Sequence, residues 1–216
     1  GNWITENSDI TLDITADPKG VERGNKITPD TSYNYHHVQS VTSGIIPTSV
    51  TYSIFVKKAG YSRVELLLAD SVSPSPPYAQ VKFDLDTLET FGKQVGSFEY
   101  QYYGNGWYRL AITGTSPNSN PSIVRAAVFK GKSQIFYGNG EDGLYIWGAQ
   151  VELAVVASSY IPTTTAVTRS TDLLSPKTLD INNVRGAVFL DLKASDVGSL
   201  SYIRLLGSPY NRIDFS

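Results

Sequence analysis

An all-β fold, two antiparallel sheets packed as a sandwich, is what this sequence predicts. Three observations predict it. Apolar and polar residues alternate over short stretches, the mark of strands with one buried face. Clusters of Gly, Pro, Asn and Ser punctuate those stretches at regular spacing, as the turns of a sandwich require. No stretch carries a helical period over a convincing length.

Taken in order, Trp3 to Ile14 shows apolar alternation, with Ile10, Leu12 and Ile14 expected on one face. Asp17-Pro18-Lys19-Gly20 is a turn, because Pro18 fixes φ at its second position and Gly20 closes it. Ile27 to Gln39 is polar and aromatic and holds the only histidines, His36 and His37. Adjacent strand residues face opposite ways, so this pair is a poor chelate and reads as surface. Tyr52 to Lys57 is the cleanest strand, with Tyr52, Ile54 and Val56 on one side. Ala59-Gly60 turns it into Arg63 to Ala69, where Val64, Leu66 and Leu68 alternate with Arg63 and Glu65.

Ser71 to Pro77 is a loop, since prolines cannot donate to a ladder. Gln80 to Asp84 resumes with Val81 and Phe83 inward. Phe98, Tyr100 and Tyr102 alternate with Glu99 and Gln101, and Gly104-Asn105-Gly106 turns the chain into Trp107 to Ile112. Thr113 to Pro121 is a polar loop, Ile123 to Phe129 a strand, and Gln134 to Tyr137 a shorter one. A glycine-rich acidic loop, Gly138 to Gly143, precedes the closing strand Leu144 to Glu152. In that strand Leu144 and Ile146 face one way, Tyr145 and Trp147 the other. Burial of both faces would place it mid-sheet, or under a loop or a neighbouring subunit. Gly148 marks a bulge or a close approach of a neighbour.

After Asp172 the pattern restarts: Ser175-Pro176 reads as a linker, then Gly186 to Leu192 and Ser201 to Leu206 as strands. The expected organisation is therefore a sandwich over residues 1–172 and, over 173–216, a linker and the first strands of a second β domain. The tail is too short to bury a sandwich core of its own. With Gly1 in place of Met and no terminating signal at Ser216, the chain reads as a fragment of a longer one.

Composition removes several classes of function. A formal net charge of −2 without a Lys/Arg cluster gives no reason to expect nucleic acid as a partner. No apolar run approaches a membrane span, and the polar start carries no signal peptide. With Cys 0, disulfides and zinc–thiolate sites are excluded. The hydrophobic share of 41% suits a packed core, and 14 Tyr, 18 Gly and 11 Pro suit strands and turns.

One ordered set of phrases goes further. Trp147-Gly148-Ala149-Gln150-Val151-Glu152, then Ser158-Ser159-Tyr160-Ile161-Pro162-Thr163 and Thr168-Arg169-Ser170-Thr171-Asp172, resemble the end of a β-sandwich module of bacteriophage tail fibres and tail spikes. Asn2-Trp3, Ala16 to Gly20, Tyr52 to Lys58, Phe83 to Thr87 and Gly106 to Arg109 match it in the same order. The resemblance implies a jelly roll of the concanavalin A or carbohydrate-binding-module type. It further implies a virion tail-fibre location, synthesis in the host cytoplasm, other virion tail proteins as partners, and a homotrimer. This chain departs from the family at Leu88, where a glycine is usual after the Asp-Thr turn, and in the proline-rich segment Ser73 to Pro77.

Catalytic groups are scarce. A Ser-His-Asp arrangement would need His36 or His37, no nucleophile elbow is present, and Glu99, Glu141, Asp142 and Glu152 show no convergent spacing. The expectation is a protein that is not an enzyme. Aromatic surplus points instead to sugar binding, since Tyr and Trp rings stack on the apolar faces of sugars. Tyr102, Tyr103, Trp107 and Tyr108 flank one hairpin and are the candidate platform for a bacterial surface polysaccharide or lipopolysaccharide; the competing reading puts Trp107 and half the tyrosines in the core. A structural Ca²⁺ ion held by Asp142 and neighbouring carbonyls is a further candidate. The alternative function is a purely structural fibre domain that spaces, trimerises or attaches without binding sugar. Its physical cue is the absence of charge from Ala154 to Val167, a stretch that must pack on its own sandwich or, through Tyr160 and Ile161, on neighbouring chains.

Overall fold

A computed structural model describes residues 3–44 and 48–161. The expected second domain, 173–216, lies outside the described residues. The strands are β1 (Ile4–Glu6), β2 (Ser8–Ala16), β3 (Glu22–Pro29), β4 (Tyr33–Tyr35), β5 (His37–Gly44), β6 (Ser49–Ala59) and β7 (Arg63–Asp70). They continue with β8 (Ala79–Asp84), β9 (Glu89–Thr90), β10 (Ser97–Tyr102), β11 (Tyr108–Thr115), β12 (Pro121–Phe129), β13 (Ile135–Tyr137) and β14 (Gly143–Glu152). Among the described residues there is no helix, and so none long and apolar enough to cross a membrane.

Two 6-stranded antiparallel sheets form the sandwich, in the orders β1-β5-β12-β7-β8-β9 and β10-β11-β6-β14-β3-β2. The pairings nest. β7 pairs with β8, β6 with β11 around them, β5 with β12 around those, and β3 with β14 outermost. A chain folded double and wrapped in this way is a jelly roll. Inward positions obey the period of two: Tyr52, Ile54 and Val56 of β6 face Val64, Leu66 and Leu68 of β7, all at 0–1% exposure.

β14 lies mid-sheet between β6 and β3, which is why both its faces are covered. Leu144 and Ile146 enter the main core; Trp147 joins Phe55 and Trp107 in a smaller core on the outer face of the second sheet. Gly148 carries φ +60 at the bulge where the register with β6 shifts between Trp147 and Gln150. A Cβ there would stand 3.1 Å from the rings of both Phe55 and Tyr160.

Two expectations are corrected, and one open alternative is decided. Ile10, Leu12 and Ile14 do not share a face: Ile10 packs on the core, while Leu12 is 67% and Ile14 49% exposed. Between them Asp13 takes φ +52, its amide bonds Asn25 Oδ1, and the β2–β3 register shifts, so a bulge breaks the alternation. The histidines are not on the surface. His36 is fully buried between the carbonyls of Asn7 and Phe136, tying the β1–β2 junction to a small β4–β13 ribbon, in which β13 falls within the expected strand Gln134 to Tyr137. His37 is 3% exposed under Tyr35, with its ring 4.7 Å away. Of the two packings open to the charge-free stretch, its described part, as far as Ile161, takes the first, on its own sandwich. Tyr160 lies 4.5 Å from Trp147 and the Ile161 amide bonds Gln150 Oε1, so segment 153–161 straps back over its own sandwich. Leu153, Val155 and Val156 stay exposed along it.

Leu88, where the tail-fibre pattern carries glycine, adopts φ +58 and packs its side chain against the core. The backbone keeps the left-handed turn that glycine would provide.

Candidate functional site

The hairpin β10–β11 is built from consecutive aromatics, and strand parity divides them. Tyr102 stands opposite Tyr108, Tyr100 opposite Leu110, and Phe98 opposite Ile112, all on the core side of the sheet. β10 is the edge strand, so its core-side residues reach the mouth between the sheets. There they form a ladder. Phe83 of the opposite sheet packs 5.1 Å from Phe98 and 4.8 Å from Tyr100, and Tyr108 packs 5.0 Å from Tyr102. Phe83 is wholly buried, whereas Tyr100 is 44% and Tyr102 57% exposed. The inner rings fix the outer two in place while their faces meet solvent.

A charged end closes this ladder. Lys58, beside Tyr108, forms an ion pair with Asp86 of the β8–β9 turn. The Asp86 hydrogen bond raises the Lys58 pKa, and that same bond lowers the Asp86 carboxyl. Asp84 anchors the turn by accepting from the Asp86 amide at 3.0 Å and from Arg63 Nε at 2.7 Å. Burial alone would raise its pKa, but those bonds outweigh it and the pKa is lowered. Two ring faces beside an exposed cation and carboxylate can stack a sugar and hydrogen-bond its hydroxyls.

Of the four residues expected to form the platform, Tyr102 and half-buried Tyr108 belong to this ladder. Trp107 does not: it is 0% exposed, its Nε1 donates to Ala16 O at 3.0 Å, and Gly24 lies against its ring. The β2–β3 hairpin closes over it, so no ligand reaches it. Tyr103 points to the other face, edge-on to Phe55 at 4.9 Å. Tyr100 and Phe98 were missed as site residues, although the alternation of Phe98, Tyr100 and Tyr102 with Glu99 and Gln101 was the signal.

Asp142 accepts from Asn139 Nδ2 at 2.8 Å, and the neighbouring Glu141 carbonyl accepts from the Lys26 ammonium. Among the described residues no three His, Asp or Glu groups gather as a metal would need. Glu99, Glu141, Asp142 and Glu152 sit on separate places: β10, the 138–142 turn, and the end of β14. Glu152 is engaged by Ser158.

No protein-family model matches the chain, and no curated protein matches it. Among solved structures it is similar to the enzymatically active domain of tailspike protein 4 of bacteriophage CBA120, at 11% identity and TM-score 0.42, covering 71% of this chain and 19% of that one. It is also similar to the CBM22-1 xylan-binding domain of Paenibacillus barcinonensis Xyn10C, at 14% identity and TM-score 0.40, covering 72% of this chain and 87% of that one. A family 35 carbohydrate-binding module of Clostridium thermocellum gives 14% identity and TM-score 0.37, covering 70% and 92%. At such scores the fold rests on the strand order itself.

Proposed function

We propose that this chain is a glycan-binding module of a phage tail fibre, which adheres to a polysaccharide or lipopolysaccharide of the bacterial surface without cleaving it. The observation that carries the reading is the ladder at the β10 edge, with Tyr100 44% and Tyr102 57% exposed on a buried aromatic base. Solvent-facing tyrosines held rigid by packing lose little entropy when a sugar stacks on them. The virion context is supported by the ordered tail-fibre phrases, and with it the homotrimer, synthesis in the host cytoplasm and the partnership with other tail proteins.

Affinity electrophoresis through host polysaccharide tests the reading. Tyr100→Ala with Tyr102→Ala should abolish retardation, each ring contributing about 1–2 kcal/mol, or roughly tenfold. Retardation unchanged in the double variant would refute the site, and release of reducing ends by the unaltered chain would refute the non-catalytic role. The second reading, a spacer domain that assembles fibres, draws on the exposed Leu153, Val155 and Val156. It predicts no retardation by any glycan and a trimer by light scattering.

A further inference from the structure

We infer that the outer face of the second sheet holds a separate site for a carboxylate-bearing sugar, centred on Arg109 and covered by the chain's own strap, residues 153–161. Arg109 is 7% exposed, yet no Asp or Glu among the described residues pairs with it. Its Nη2 donates to Ser53 Oγ at 2.8 Å, its Nη1 donates to the Ser158 carbonyl, and its Nε has no partner. Buried guanidinium groups are ordinarily matched by an anion, because a neutral carbonyl offsets only part of the lost hydration.

The carbonyl in the anion's place belongs to a removable segment. The strap makes no ladder. Sheet side chains grip its backbone: Thr51 Oγ1 donates to Ala154 O at 2.8 Å, Glu152 accepts from the Ser158 amide at 3.0 Å, and Gln150 accepts from the Ile161 amide at 3.0 Å. Tyr160 supplies the one aromatic anchor, on Trp147 and Phe55. Lifting the strap therefore breaks no strand pairing. It uncovers a row across three adjacent strands: Arg109 of β11, the side of Phe55 of β6 that Tyr160 rather than Tyr103 covers, and Trp147 of β14.

Two strand spacings put the Arg109 and Trp147 positions about 10 Å apart, within reach of a short saccharide. The planar guanidinium takes a carboxylate through two parallel bonds, and the unpartnered Nε is one of those donors. The aromatic surface beside it favours a sugar ring over an acidic peptide. This site lies on the opposite side of the sheet from the β10 ladder and does not depend on it.

The test is calorimetry of the full chain with oligogalacturonate. Tyr160→Ala, which releases the anchor, should bind on the order of tenfold more tightly than the unaltered chain, the factor lost when a site is open a tenth of the time. Adding Arg109→Gln should remove that gain, and Tyr100→Ala with Tyr102→Ala should leave it intact. Gln150→Ala, which releases the Ile161 amide and the weaker bond to Ser158 Oγ but leaves Tyr160 in place, should give a smaller gain in the same direction and serves if Tyr160→Ala fails to fold. No gain in either strap variant, or a gain that survives Arg109→Gln, overturns the site. Equal binding of poly-glutamate overturns the sugar assignment.

Discussion

Trp107→Ala separates the core from the binding surface. The ring is wholly enclosed, donates one hydrogen bond to Ala16 O, and touches the β2–β3 hairpin at Gly24. A buried Trp removes roughly 200 Å² of largely apolar surface from water, about 5 kcal/mol at 25 cal/mol/Å². Partial collapse around the cavity brings the expected cost to about 3–5 kcal/mol. For a domain of this size each kcal/mol lowers Tm by about 2–4 °C, so the variant should melt roughly 6–20 °C lower. Trp107→Phe keeps most of the ring but loses the bond to Ala16, and should cost about 1–2 kcal/mol. Scanning calorimetry of the three proteins gives the comparison. A Trp107→Ala variant that melts with the unaltered chain yet no longer binds glycan would return Trp107 to the platform and undo the parity argument.

Two further outcomes are expected. Burial, and secondarily Arg125, depress the His37 pKa; in the unfolded chain the imidazole titrates near 6.5, so as pH falls through that value the unfolded state takes up its proton first and the native state loses stability. Between pH 7.5 and 5.5 the denaturation midpoint should fall, and less so in His37→Phe; equal slopes would rule His37 out as the source. Gly148→Ala places a Cβ 3.1 Å from Phe55 and Tyr160 at φ +60, and should cost about 1–3 kcal/mol and red-shift Trp147 emission as Tyr160 is pushed away. An unshifted spectrum would show that Tyr160 does not cover Trp147.

Much of the fold was legible because the inward residues of β6 and β7, Tyr52, Ile54 and Val56 and then Val64, Leu66 and Leu68, recur with the period of two. What stayed hidden depended on partners distant in sequence. Nothing near Leu12 announces that Asp13 will bulge onto Asn25, and nothing near His36 shows that Asn7 and Phe136 will enclose it. The hairpin aromatics are an instructive mixture. That Tyr102 and Tyr103 face opposite ways follows from the period of two. That Trp107 is roofed depends on Ala16, 91 residues away. Leu88 conceals its left-handed turn because its side chain is apolar enough to be held by the core.

The nesting of strands carries a consequence for synthesis. The innermost pair, β7–β8, is local in sequence, whereas β3 pairs only with β2 and with β14, which leaves the ribosome more than a hundred residues later. Loop-closure entropy favours the inner pair first and each enclosing pair after it. Until β14 emerges, β6 presents an open edge at the middle of the future sheet and the β2–β3 hairpin has nowhere to dock. A nascent chain stopped short of Glu152 thus carries a long, apolar, unpaired edge suited to joining another chain. The ten residues of β14 therefore decide whether a newly made chain leaves the ribosome as a finished domain or as one with its middle edge open.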